Sequence, residues 1–204
     1  MQVKEMFLKK ISNIFLSIVF LFFFLLSGQS KSNQNEDLIK KLSDYLLNTK
    51  EISSGFIQIN DDFLQEGNFY LKNNRLRIEY KQPNNIIIVV KNSNAMYYNV
   101  DLEEVQYFNP KNTVAKLFFN LFYDNNFLDN AKYNFQNNSL SLKKIYEIDG
   151  DKNSIEIYFE KSPLKLRKIE LNSINGRILF GITDLNYNPN LDDKLFSLAN
   201  PLLS

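Results

Sequence analysis

The chain has 204 residues, 44% of them hydrophobic, with 24 Lys and Arg against 23 Asp and Glu. That length suggests one domain, and the apolar fraction is enough for a core and too high for a disordered chain. Balanced charge argues against a nucleic-acid partner, which calls for a basic stripe. His, Cys and Trp are absent. Ser-His-Asp and Cys-His catalysis, imidazole and thiolate metal sites, and disulfides are therefore excluded. No clustered carboxylates or activated nucleophile stand out, so no catalytic residue, metal or cofactor is expected.

Residues 1–30 have three parts. Lys4, Lys9 and Lys10 make a basic start, Ile14 to Leu26 is an apolar run, and Gly28 and Ser30 stand at the −3 and −1 positions of a cleavage site. This is the pattern of a cleaved secretory signal peptide. The run is shorter than the ~20 residues of a membrane span. No Cys follows to carry acyl chains, so residues 31–204 are expected to be a soluble, exported single domain. The leader holds three Lys and one Glu, a net +2, so its removal takes the formal charge from +1 to −1. Long-range steering toward anionic membranes should be weak.

After a polar stretch, Leu38, Ile39, Leu42, Tyr45 and Leu46 fall at helical spacing, predicting an amphipathic helix from Asp37 to about Asn48. Strand patterns follow. "SGFIQIN" (54–60) puts Gly55, Ile57 and Ile59 on one face, and "DDFLQEG" reads as a turn. "NFYLK" (68–72) and "RLRIEYK" (75–81) alternate, with Phe69, Leu71, Leu76, Ile78 and Tyr80 on one face. "NIIIVVK" (85–91) is apolar on both faces and reads as a central strand covered on both sides. "AMYYNVD" and "EEVQYFN" form a hairpin around Asp101 to Glu103.

A break at Asn109–Pro110 precedes "VAKLFFNLF", with Thr113 as its cap. Val114, Leu117, Phe118, Leu121 and Phe122 follow the i, i+3, i+4, i+7, i+8 rule, and Phe119 widens the stripe. The second half returns to strands: "AKYNFQ", "SLSLKKI", "SIEIYFEK", "KLRKIELN" and "RILFGITDLNYN". Asp149-Gly150, Ser162-Pro163 and Asn175-Gly176 mark turns. "NLDDKLFSLANP" reads as a turn or single helical turn. Lys72 and Arg77 read as solvated strand positions, and Asp192–Asp193 as a turn or cap rather than a metal site. The total, about ten strands in sequential hairpins, predicts an antiparallel meander long enough to curl, with the two helices over its mouth.

Five stretches in this order carry a family resemblance. They are "SGFIQI", "EGNFYLKNNRLRIEYKQP", "VVKNSNAMYYNVDLEEV", "SPLKLRKIELNSINGRI" and "LNYNPNLDDKLFSLANP", which together cover the exported chain. The sequence resembles the periplasmic outer-membrane lipoprotein carrier family, LolA. The resemblance implies a mainly β fold, an incomplete, unclosed antiparallel β-barrel covered by an α-helical lid with a hydrophobic cavity between. It implies a carrier, not an enzyme, that takes acylated lipoproteins from an inner-membrane lipoprotein-releasing ABC transporter to an outer-membrane acceptor. A cofactor is not implied, and the protein is expected to work in the periplasm as a monomer. Phe69, Leu71, Leu76, Ile78 and Tyr80 become the acyl-chain wall, though at period two such residues are ordinarily core. Val114, Leu117, Phe118, Leu121 and Phe122 become the lid. Many members carry Lys-Arg-Pro at the turn after the second strand, where the Arg ties the lid to the barrel. Here Lys72 matches the Lys and Asn73 takes the Arg position, so an amide is expected to bond lid carbonyls, more weakly than a charge. Arg75, close by, is expected to face elsewhere.

A second reading is a periplasmic lipid- or lipoprotein-sensing module of the same open-barrel fold. Such modules usually carry a second domain, for which no length remains after Ser204. A third, a lipid hydrolase using carboxylates or Tyr, lacks any visible acid pair.

Overall fold

The computed structural model describes residues 34–60, 63–111, 114–124, 126–148, 151–174 and 176–203, the side chains of 114–118 and 148 excepted. The leader, the Thr113 cap and the Asp149-Gly150 turn lie outside these residues. The chain divides into two compact units, Met1–Leu42 and Ser43–Ser204. A helix, α1, runs over 34–48, starting before the expected Asp37. Its last carbonyls are satisfied locally: Thr49 Oγ1 donates to Tyr45 O (2.7 Å) and Asn48 Nδ2 to Asp44 O (2.8 Å).

The second unit is built on eleven strands. They are β1 (Glu51–Asn60), β2 (Phe63–Lys72), β3 (Arg75–Gln82), β4 (Ile86–Lys91), β5 (Asn94–Asn99), β6 (Glu104–Phe108), β7 (Lys132–Phe135), β8 (Ser139–Ile148), β9 (Asp151–Lys161), β10 (Leu164–Ser173) and β11 (Gly176–Tyr187). A second helix, α2 (Val114–Tyr123), separates β6 from β7. β2 begins five residues earlier than expected, because Phe63 to Gly67 pair with β1 instead of turning. The expected single meander is in fact two. The sheet order is β6-β5-β4-β3-β2-β1-β11-β10-β9-β8-β7, so β1 pairs with β11 at the centre of the sheet. β6 and β7, the strands that flank α2 in sequence, are its two free edges.

Register carries one face through the whole sheet. Ile52, Ser54 and Phe56 of β1 oppose Leu71, Phe69 and Gly67 of β2, and Leu71 and Phe69 oppose Leu76 and Ile78 of β3. On the other side Phe56 opposes Ile182, Phe180 opposes Ile169, Ile169 opposes Ile157 and Ile157 opposes Leu142. This inner face holds most of the buried apolar side chains. Gly55, Ile57 and Ile59 do share a face of β1, but it is the outer one: Ile57 is 38% and Ile59 42% exposed. Phe56 takes the inner face instead, edge-on to both Tyr80 (5.3 Å) and Phe180 (6.2 Å).

β4 is covered on both sides, as its composition predicts. Val90 faces inward beside Leu76. Val89, on the outer face, packs with Met96, Leu191 and Phe196, and Tyr70, Ile87, Tyr98, Val105, Leu195 and Leu198 surround them. The C-terminal segment thus lies on the outer face of the first meander. It contains two 3-10 turns, Asp193–Phe196 and Pro201–Leu203. Asp192 caps the first of these by accepting from Lys194 N (2.9 Å), as expected of a turn or cap.

Lys72 and Arg77, however, are not solvated positions. Lys72 Nζ lies 3.2 Å from both Glu51 Oε1 and Asp193 Oδ1, and also donates to Leu191 O. Glu51 Oε2 accepts from Leu191 N (2.7 Å) and Arg75 Nη1 lies 3.1 Å from Asp193 Oδ2. Arg77 Nη1 donates to Leu195 O (3.1 Å). These groups clasp the C-terminal segment to β1–β3, and their location follows from alternation: with Leu71, Leu76 and Ile78 inward, Lys72, Arg75 and Arg77 must point outward.

The clasp makes stability depend on pH. Arg75, then Lys72, holds the Asp193 carboxyl below its usual range. The Leu191 N–H, then Lys72, does the same for Glu51. A carboxyl lowered by folding adds stability above its unfolded value and loses it as pH falls through the folded value. The denaturant midpoint should therefore fall as pH drops below about 4. Asp193→Asn should lower the midpoint at neutral pH and flatten that fall; an unchanged slope would contradict the clasp.

Gly67 gives a second expectation. The β2–β3 pairing is bulged between Glu66 and Gly67, with Lys81 of β3 the extra residue, and a Cβ on Gly67 would overlap the Glu79 carbonyl and crowd Phe56 Cε1 at 3.0 Å. Gly67→Ala should cost about 2 kcal/mol of unfolding free energy. An unaltered midpoint would show that β3 can yield at this point.

Candidate functional site

The site follows from where the edges lie. The chain leaves edge strand β6 and must reach edge strand β7, and the 109–131 segment carrying α2 makes that connection. Phe119, Leu121 and Phe122 of α2 are buried. Leu121 and Phe122 meet Ser43, Leu46 and Leu47 of α1, leaving a gap of only about 10 Å³, room for about one water at most.

Beyond α2, Phe127 seats against β8. Lys144 Nζ, inward-facing opposite Ile155, donates to Phe127 O (2.6 Å) and lies 5.0 Å from its ring centroid. Tyr133 of β7 donates to Leu128 O (3.2 Å). At the C-terminal end of α2, the Tyr123 hydroxyl donates to Lys50 O (3.2 Å). Burial raises its pKa, while the main-chain N–H groups of Asn74 and Asn73, directed at its oxygen, oppose the rise. Tyr123 therefore fastens α2 to the start of β1, close to the β2–β3 turn.

Tyr45 performs the corresponding task for the last turn of α1. Its ring is edge-on to Phe159 (6.1 Å) and Tyr187 (5.5 Å). Its hydroxyl is bonded to that of Tyr187 and accepts from Leu166 N (3.4 Å). Burial pushes its pKa far up, so it stays neutral.

The five predicted wall residues share the inner face. Phe69, Leu71 and Leu76 are 3%, 0% and 0% exposed, and Ile78 and Tyr80 are half-buried. Tyr80 is the one that bonds: it donates to Gln58 Oε1 (2.8 Å), Gln58 donates to Gln65 Oε1 (3.2 Å), and burial pushes the Tyr80 phenol up to about 12. Among the predicted lid residues, Leu121 and Phe122 are buried. Val114, Leu117 and Phe118 lie on α2, but their side chains are outside those described. Asn73, at the latch position, stands in the β2–β3 turn near the Tyr123 hydroxyl at the end of α2. Asn73 and Asn74 both have positive φ (47° and 57°), as a two-residue hairpin turn requires. Arg75 faces the C-terminal segment, away from the lid, as expected.

A cavity of about 520 Å³ opens at the end of the sheet that carries the β2–β3 and β4–β5 turns. It is lined by Asn74, Asn92, Ser93, Asn109, Pro110, Lys111 and Phe119. This volume lies within the ordinary ligand-pocket range of about 300–1,000 Å³. Sequence reasoning placed Tyr45 on its helix but gave it no task, and it passed over Tyr123 and Lys111. Tyr123 follows Phe119 by four, so it could have been placed on the same helix face. Nothing local announced the hydroxyl partners of Tyr45 and Tyr123. Among the described residues, no group of three Asp or Glu is placed to hold a metal, and no helix is long and apolar enough to cross a membrane.

Comparison with known proteins agrees with this geometry. The family described as "Outer membrane lipoprotein carrier protein LolA" matches residues 48–199. No curated protein sequence matches. Among solved structures, a chain of the Pseudomonas aeruginosa MucA/MucB complex aligns at 13% identity and TM-score 0.45, over 80% of this chain and 61% of that one. A DUF1329 family protein from Desulfovibrio piger aligns at 10% identity and TM-score 0.35, over 79% and 95%. This chain thus spans about three-fifths of the first of these. The family match takes in every strand of the sheet and most of the C-terminal segment clasped to it, and the chain belongs to the LolA family of outer membrane lipoprotein carriers.

Proposed function

We propose that the protein carries acylated lipoproteins across the periplasm, holding their acyl chains against the inner face of the sheet. It would take them from an inner-membrane lipoprotein-releasing ABC transporter and yield them to an outer-membrane acceptor. The working form would be residues 31–204, after removal of the leader, acting as a single domain without catalysis or cofactor. One observation carries the reading: Leu121 and Phe122, in the strap that joins the two free edges, are buried against α1, while Phe69, Leu71, Leu76, Ile78 and Tyr80 share one apolar face of the sheet. Guest and strap then compete for one surface.

Magnitudes favour such an exchange. Burying one CH₂ is worth roughly 0.8 kcal/mol, and burying one Leu or Phe side chain about 1.5–3 kcal/mol. A few methylenes of one acyl chain can thus match a displaced strap side chain. Restoring the strap on release returns that energy, so loading and unloading stay close to balance. The hold on the strap must be modest for this to work. A neutral hydroxyl bonded to main-chain groups, as at Tyr123, is worth about 1 kcal/mol; a charged Arg bond is roughly twice as strong.

Purified 31–204 chain should take up a fluorescent long-chain fatty acid with one-to-one saturation. Phe122→Ala should lower stability by about 3 kcal/mol yet tighten probe binding several-fold, because the competitor is weakened. A folded wild-type protein that binds no probe would falsify the reading. Depletion should hold lipoproteins at the inner membrane; normal sorting in depleted cells would instead favour a sensing role. Tyr123→Phe should change global stability by only about 1 kcal/mol but speed amide hydrogen exchange across α2. If exchange in α2 is unaltered, Tyr123 is not what holds the strap.

A further inference from the structure

The 520 Å³ cavity is built like an amphiphile, with a polar rim and an apolar floor. Asn74 and Asn92–Ser93 are the tips of neighbouring hairpins, brought side by side because Arg75 pairs with Lys91 across β3 and β4. Asn109 and Lys111 approach from the segment that leaves β6. These five polar residues are exposed, whereas Pro110 and Phe119 beneath them are buried. Phe119 belongs to the strap, so the floor continues the apolar side of α2. The rim offers carboxamide and hydroxyl donors and one ammonium, and no carboxylate lines the cavity among the described residues. Lys111 makes no ion pair among the described residues, and its main-chain N–H donates to Asn109 Oδ1 (3.0 Å), which ties the two rim residues together.

From this we infer that the cavity is a headgroup subsite: it takes the anionic, acceptor-rich head of an acylated guest while the chain runs over Phe119 toward the inner face. The inference rests on the carrier reading and adds a direction to it. The guest's polar end, and whatever is attached to it, leaves the protein at the end bearing the β2–β3 and β4–β5 turns. A cation and several neutral donors around one opening would prefer a carboxylate or phosphate head to an ammonium head on the same chain.

The test compares two probes with the same fluorescent acyl chain, one ending in a carboxylate and one in an amine, on the 31–204 chain. The carboxylate should bind about tenfold more tightly. Lys111→Ala should remove most of that preference while leaving the amine's affinity unchanged, and Lys111→Arg should retain it. Phe119→Ala should weaken both probes alike. Excess inorganic phosphate should not displace the carboxylate probe, because the chain supplies most of the affinity; displacement by free phosphate would make this a simple anion site and overturn the inference. Equal binding of the two probes, or a preference that survives Lys111→Ala, would overturn the subsite and leave the carrier intact. Failure of both probes to bind would overturn the carrier reading and the subsite with it.

Discussion

The pairing of β1 with β11 is the constraint from which the rest descends. It joins the first strand to the last through eight register pairs, from Ile52 with Tyr187 to Asn60 with Ile178. Two local meanders become one sheet, and the free edges pass to β6 and β7, in the middle of the sequence. A chain that must travel from one edge to the other has to cross the sheet. Its apolar residues are buried on the way, and Phe127, seated under the inward-facing Lys144, places the crossing on the inner face. The lid is therefore a consequence of topology. Had β6 paired with β7, the barrel would have closed and the same helix would have had no opening to bridge.

The inner face is apolar but not uniformly so, and its polar groups are satisfied. The Ser54 hydroxyl shares its proton between Gly55 O (2.7 Å) and Thr183 O, where the β1–β11 register shifts between Ser53 and Gly55, and Gln58 bonds both Gln65 and Tyr80. Such groups cost little once paired and considerably more if a guest strips their partners. They divide the face. The stretch around Leu71, Leu76, Val90 and Ala95, nearest the β2–β3 turn, is free of them, and it is also the stretch nearest the cavity and the Tyr123 fastening. The side chains there present only hydrocarbon.

What was legible in the sequence was local. Period-two alternation put Phe69, Leu71, Leu76, Ile78 and Tyr80 on one side correctly, because a pleated strand leaves no alternative. The doubly apolar run at Ile86–Lys91 showed that both faces would be covered, and the helical stripe found α2. Long-range matters were not legible. Alternation says that a strand has two faces and not which is inside, so Ile57 and Ile59 could not be told from Phe56. The ion pair of Lys72 with Asp193 and the bond from Arg77 to Leu195 O join residues far apart in sequence, and charge alone made Lys72 and Arg77 look solvated. The family resemblance filled part of this gap by supplying the open barrel and lid. It could not supply Tyr123, since the reader of a motif looks at the position of the missing Arg and not at the helix that comes to meet it.

Under the carrier reading, a tyrosine fastening in place of the arginine latch that the family resemblance implies would change the physics of opening. A guanidinium reaching from barrel to lid carries a charge that must be resolvated when the lid lifts, and its strength varies with ionic strength. Tyr123 reaches from α2 to the start of β1, where its partner is the neutral Lys50 carbonyl, beside the main chain of Asn73 and Asn74. Opening moves one hydroxyl into water, where it finds equivalent partners, and leaves main-chain groups at an exposed turn that water reaches easily. The energy that keeps the strap down then resides in Leu121, Phe122 and their neighbours, which is the same kind of energy that an acyl chain brings. A fastening of this kind responds to hydrocarbon and hardly at all to salt, so the strap should yield to the cargo itself and not to the charge of whatever presents it.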